Sequence, residues 1–222
     1  MVKRLLFAAL LLGAACAWAG QPPGTLEVGA RVGVFANTNN DLAVDDGGLD
    51  VFVNKQNIYY EGFGAFYVAQ PLALVATLGT YSKVDIRFVG YDAQFNTVRT
   101  FFGSANIYPM QLGLRFDPFE RQLPGGLSPY VEGGGALIIG RETVSSAYYD
   151  TFSGSFIDGV IETETDWNWW AGFGAVLPLS DKFRLDFMVK YLVTEFDGDI
   201  AGLSEFTGWQ VSFGVGYLAV VK

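Results

Sequence analysis

Large apolar residues return at every second position along most of the chain. The clearest stretch is TGWQVSFGVGY, residues 207–217, where Trp209, Val211, Phe213, Val215 and Tyr217 alternate with Gly208, Gln210, Ser212, Gly214 and Gly216. A period of two defines a β-strand with two distinct faces. The non-core face of a soluble strand normally carries Lys, Glu or Thr, yet here it holds Gly, Gln and Ser. Eight such segments, bounded by turn residues, run over about residues 25–35, 58–69, 73–88, 98–116, 129–142, 165–177, 183–196 and 207–218. Most exceed the about nine to eleven residues that a tilted strand needs to cross a bilayer.

Apolar residues alone assign an outward face to each strand. They give Leu26, Val28, Ala30, Val32 and Val34 in the first, and Leu74, Ala76, Leu78, Val84 and Ile86 in the third. The fourth has Tyr108, Met110, Leu112, Leu114 and Phe116; the seventh has Leu185, Phe187, Val189, Tyr191 and Val193. Charged residues then fall on the opposite parity: Glu27, Arg31, Lys83, Asp85, Arg87, Arg115, Glu132, Arg184, Asp186 and Lys190. Glu61, Arg141 and Glu195 break the rule, and their positions near loop ends predict contact with water. Connections also alternate. Residues 69–72, 178–182 and 117–128 are turns, whereas 37–57, 89–97, 143–164 and 197–206 are loops. Together these features predict an all-β fold, an eight-stranded antiparallel transmembrane β-barrel with long extracellular loops and short periplasmic turns. Both termini then lie in the periplasm. Trp209 and Tyr217 would stand roughly 20 Å apart along the membrane normal, at opposite interfaces.

The N-terminal segment follows another pattern. Lys3 and Arg4, the apolar run Leu5–Leu12 and Ala17-Trp18-Ala19 form the three regions of a cleaved export signal. Residues 1–19 are therefore read as a signal peptide and 20–222 as one barrel domain, with 15–17 the second choice of cleavage site. Cys16 raises a lipoprotein reading, but Gly13 stands where that signal expects Leu. Cleavage after Ala19 leaves no cysteine, so stability in an oxidising compartment would not depend on disulfides. The net charge is −9, and loss of Lys3 and Arg4 makes it more negative, which argues against nucleic-acid binding. No later stretch has eighteen consecutive apolar residues, so a membrane would be crossed by strands.

The sequence contains no histidine, which removes the commonest general acid–base group and the usual transition-metal ligand. The reading is a non-enzymatic protein without a cofactor. The inward charges form either an ion path or a paired filling of the lumen. Filling is favoured, because eight strands enclose only enough space for side chains and unpaired buried charge is costly. Gly208, Gly214 and Gly216 on that face would leave room for water or a thin apolar ligand. Asp41, Asp45, Asp46 and Asp50 are weak candidates for a calcium site, although their spacing matches no calcium loop. Tyr148, Tyr149, Phe152, Phe156 and Ile157 form either a partner or ligand surface or a loop folded over the barrel mouth.

The segments IYPMQLGLRFDP (107–118), SPYVEGGGALIIG (128–140) and WNWWAGFGAVLPLSDKFRLDFMVKY (167–191) carry a resemblance. The whole mature pattern resembles the small outer-membrane β-barrel domain family, the OmpA/OmpX/OmpW-like eight-stranded barrels of Gram-negative bacteria. Family members usually end on an aromatic residue read by the assembly machinery, whereas this chain continues past Tyr217 through LAVVK. The resemblance implies an integral protein of the outer membrane, in contact with its lipids, inserted by the barrel-assembly machinery and monomeric. It implies a structural or surface role in the cell envelope, or, alternatively, an OmpW-like conduit or binding site for small hydrophobic molecules.

Overall fold

A computed structural model describes residues 21–38, 44–45, 49–52, 56–91, 97–118, 126–144, 148–150, 155–157, 161–200 and 203–220. The expected signal peptide lies outside them. The described residues form β1 (Thr25–Asn37), β2 (Val44–Asp45), β3 (Leu49–Phe52), β4 (Gln56–Ala69), β5 (Leu72–Tyr91), β6 (Thr97–Phe116) and β7 (Ser128–Val144). They continue as β8 (Tyr148–Asp150), β9 (Ser155–Ile157), β10 (Ile161–Pro178), β11 (Phe183–Leu192), β12 (Glu195–Ile200), β13 (Leu203–Glu205) and β14 (Gly208–Val220).

Eight long strands close into an antiparallel barrel. Around the wall they run β14-β1-β4-β5-β6-β7-β10-β11, and β11 returns to β14. The first and last strands pair over their full length, from Thr25 opposite Val220 to Asn37 opposite Gly208. Closure leaves the barrel wall without a free edge, the condition for carrying backbone amides through hydrocarbon. Among the described residues no helix is long and apolar enough to cross a membrane.

The two-face reading of β14 matches its surroundings. Trp209, Val211, Phe213, Val215 and Tyr217 are exposed on the outer wall, while Gln210 and Ser212 are buried inside. On β6 the outward Leu112 is 67% exposed and Arg115 is fully buried. Such an apolar exterior suits lipid rather than water. Aromatic rings gather at both of its ends. Trp169, Tyr191 and Trp209 form a row with centroid separations of 5.8 and 4.9 Å toward the loops. Phe183 and Tyr217 meet at 5.3 Å toward the turns.

The seventh predicted strand differs from its expected course. It was expected to run to residue 196, but β11 ends at Leu192. Thr194 donates its amide to the Thr207 hydroxyl at 3.1 Å and accepts from the Phe206 amide at 2.7 Å. These bonds pinch the chain, and the expected 197–206 loop becomes the β12–β13 hairpin. Val193, expected outside, is buried, as are Phe196, Ile200 and Phe206 beyond it. Burial of these apolar side chains accounts for the inward course of the hairpin.

Candidate functional site

The lumen is built in layers from the inward face of each long strand. At the turn end, Ser128 donates to Asp117 at 2.9 Å, beneath the inward Tyr67. Above them Arg115 bridges two carboxylates, with Nε 3.0 Å from Glu132 and Nη1 3.2 Å from Glu27. Arg115 and Glu132 are direct cross-strand partners of β6 and β7, so the ladder itself sets their pairing. Arg184 Nη1 lies 3.9 Å from the Glu27 carboxylate.

Arg31 occupies the next layer. Its Nε approaches Asp186 at 2.6 Å, Nη1 approaches Glu61 at 2.6 Å, and Nη2 donates to the Tyr130 hydroxyl at 3.2 Å. Its guanidinium also covers the Phe63 ring at 4.0 Å, and Arg115 lies 4.1 Å over the Tyr130 ring. These ring contacts place apolar surface against cations that already have anionic partners. Lys190 completes the network, 2.5 Å from Glu61 and donating to the Gln111 carbonyl at 2.7 Å. Thr77 donates to the same carbonyl at 2.6 Å.

Above Glu61 and Lys190 the lumen turns apolar. Phe35 stacks on Tyr81 at 4.2 Å, and Tyr59 joins them. Ile107, Ile138, Trp170, Leu192, Phe196, Ile200 and Phe206 belong to the same buried cluster. The hairpin side chains thus cover the charged layer from the loop end.

Of the ten residues predicted inside, Glu27, Arg31, Arg115, Glu132, Arg184, Asp186 and Lys190 line this network. The side chains of Lys83, Asp85 and Arg87 lie outside the described residues, beside a register shift between Val84 and Ile86. Glu61 requires a correction. It was expected near water, but it is 3% exposed and holds both Arg31 and Lys190. On β4 the large residues Tyr59, Phe63 and Tyr67 point inward while Gly62 and Gly64 face out. Reading the outward face from apolar bulk therefore fails on this strand. The available signal was Glu61 itself, directly opposite Arg31 in the hairpin register. Arg141 and Glu195 are exposed.

The inward glycines also play a different part from the one expected. They are seats for large side chains. A Cβ on Gly174 would collide with the Tyr130 ring, one on Gly208 would lie 2.6 Å from the Phe35 ring, and one on Gly216 would lie 2.5 Å from Glu27. The described residues contain no cluster of three or more potential metal ligands. The side chains of Asp41, Asp45, Asp46 and Asp50, and of Tyr148, Tyr149, Phe152, Phe156 and Ile157, lie outside the described residues.

This geometry suits a tightly filled barrel, and comparison with known proteins agrees at the level of the fold. The crystal structure of the outer membrane protein OprG from Pseudomonas aeruginosa superposes with a TM-score of 0.61 at 13% identity, covering 90% of this chain and 98% of that one. Ail, the attachment invasion locus protein of Yersinia pestis, solved with the heparin analogue sucrose octasulfate, gives a TM-score of 0.51 at 12% identity, covering 89% and 99%. None of the curated proteins matches the sequence. The profile of the outer membrane protein beta-barrel domain matches residues 5–217. With its closed eight-stranded wall, apolar exterior and charged lumen, the chain belongs to the outer membrane protein beta-barrel domain family.

Proposed function

We propose that this protein is a non-enzymatic structural or surface barrel of the outer membrane, with a lumen sealed to ions. It is exported by a cleaved signal, inserted by the barrel-assembly machinery and monomeric. One observation carries the reading: Arg31, Arg115, Arg184 and Lys190 interlock with Glu27, Glu61, Glu132 and Asp186 inside the wall. A buried network of balanced charge costs less than isolated ions, and it leaves the outer wall and the loops as the surfaces that meet partners. Planar-bilayer recording of the purified mature protein tests it. The expected result is no stable current, with leakage appearing in Arg115→Ala or Glu132→Ala. Reproducible open steps in the wild type would overturn the proposal.

The apolar layer supports a second reading, a binding site for a small hydrophobic molecule. Phe35, Tyr59, Tyr81, Ile107 and Ile138 would line it once the β12–β13 hairpin moved aside. Quenching of buried Trp170 by a brominated alkane, strengthened on deleting residues 196–205, is its expected signature.

A further inference from the structure

Two polar groups in the apolar layer of the lumen stand without partners. Phe35 on β1 lies directly opposite Asn57 on β4 and Gln210 on β14, so the three side chains form one inward row. Asn57 is 7% exposed and Gln210 is fully buried. Asn57 Nδ2 and Gln210 Oε1 have no hydrogen-bond partner among the described residues, although Gln210 Nε2 donates to Ser212 at 3.1 Å. One is a donor and the other an acceptor, and they flank the same ring. Buried amide groups are normally paired, and leaving one unanswered is costly.

The surroundings restrict what can answer them. Phe35 stacks on Tyr81 with centroids 4.2 Å apart and planes 13° from parallel, and Tyr59 lies 6.0 Å from Tyr81. Such a stack offers flat apolar faces to another ring. Toward the turns the floor is polar but closed. Glu61 accepts from the Tyr59 hydroxyl at 3.0 Å and holds Lys190, whose ammonium also donates to Gln111. Both charges are engaged, so a charged guest would enter an apolar layer without a counter-ion. A neutral guest fits.

The β12–β13 hairpin fills the space on the loop side with rings of its own. Phe196 and Phe206 meet edge to face at 5.9 Å. A Cβ on Gly140 of β7 would lie 2.8 Å from the Phe196 ring and 3.0 Å from Ile200, so the wall is hollowed there to receive a ring. The hairpin is weakly held. Among the described residues its strands pair at Glu195–Glu205 and Ile200–Leu203 with an irregularity between, whereas β1 pairs with β14 along all 13 of its residues. An element with so few ladder bonds opens at lower cost than the strands around it. Swinging out at Thr194 and Thr207, it would leave ring-sized space beside Phe35, Asn57 and Gln210.

We propose, building on the second reading above, that this layer binds a small uncharged aromatic molecule bearing hydroxyl or amide groups. Its ring takes the place of the hairpin phenylalanines against the Phe35–Tyr81 stack, and its polar groups pair with Asn57 Nδ2 and Gln210 Oε1. The probes are 4-fluorophenol and 4-fluorotoluene, which share a shape and differ in the hydroxyl. Each is titrated into nanodiscs holding the mature protein and followed by fluorine NMR, with protein-free nanodiscs as the partition control. Wild type should bind the phenol about tenfold more tightly. Asn57→Leu and Gln210→Met should each lower that preference about threefold, and the two together should erase it without weakening 4-fluorotoluene. Deleting residues 196–205 should tighten both probes and keep the preference. Heat-modifiable gel migration verifies folding, which the near-isosteric apolar replacements of unpaired amides should preserve. Equal affinity for the two probes, or a preference that survives the double variant, overturns the proposal and leaves the second reading standing. Binding of neither probe, even after the deletion, overturns both.

Discussion

Arg31 and Glu61 face each other directly across β1 and β4, and their side chains meet at 2.6 Å in the middle of the lumen. Lys190 reaches the other oxygen of the same carboxylate from β11 on a distant part of the wall. One carboxylate thus ties three strands. Glu61→Ala would leave two buried cations short of an anion, and an expected loss of about 3–5 kcal/mol follows from breaking such a pair on one side only. Urea titration of the folded barrel in lipid vesicles measures it. A loss below about 1 kcal/mol, the scale of a solvent-exposed pair, would contradict the buried placement.

The outer face predicts a second effect. Phe213 lies midway between Trp209 and Tyr217, so Phe213→Arg should cost about 2–4 kcal/mol. The two-face pattern alone makes Gln210→Arg milder, since the lumen is polar. The structure reverses that order. Gln210 is fully buried and directly opposite Lys190, so the substitution sets two cations against each other where the carboxylates are already engaged. Its expected cost is at least that of Phe213→Arg, in the same vesicle titration.

Glycine substitutions should separate by face. Gly174→Val drives a side chain into Tyr130 and should cost about 1–3 kcal/mol or more as overpacking. Gly62→Val adds a β-branched residue in open space facing lipid and should be neutral or stabilising. Equal losses for both would mean that the outward glycine has an unrecognised packing role.

Export supplies a further check. N-terminal sequencing of the mature protein should begin at Gly20, and the protein should fractionate with outer membranes. An acylated Cys16 or recovery in the soluble periplasm would contradict it.

The alternation of side chains determined most of the fold before any contact was known. A strand has a period of two whatever surrounds it, so Trp209 through Tyr217 could declare their common face from sequence alone. Charges that are expensive in lipid marked the inner face in the same way, and hence seven of the ten predicted lumen residues now sit in one network. Only the tertiary structure decided what fills the barrel and from where. On β4 Tyr59, Phe63 and Tyr67 serve the interior while Tyr60, Phe66 and the glycines face out, so bulk by itself does not mark the outer face. Tyr130 over Gly174 and Phe35 beside Gly208 pair residues from different strands, so apparent vacancies in the sequence are occupied in space. The hairpin that brings Phe196 and Ile200 over the lumen depends on bonds of Thr194 to Phe206 and Thr207. Period and parity are local properties carried by each strand separately, whereas volume and charge balance belong to the closed ring and exist only once all eight strands have met.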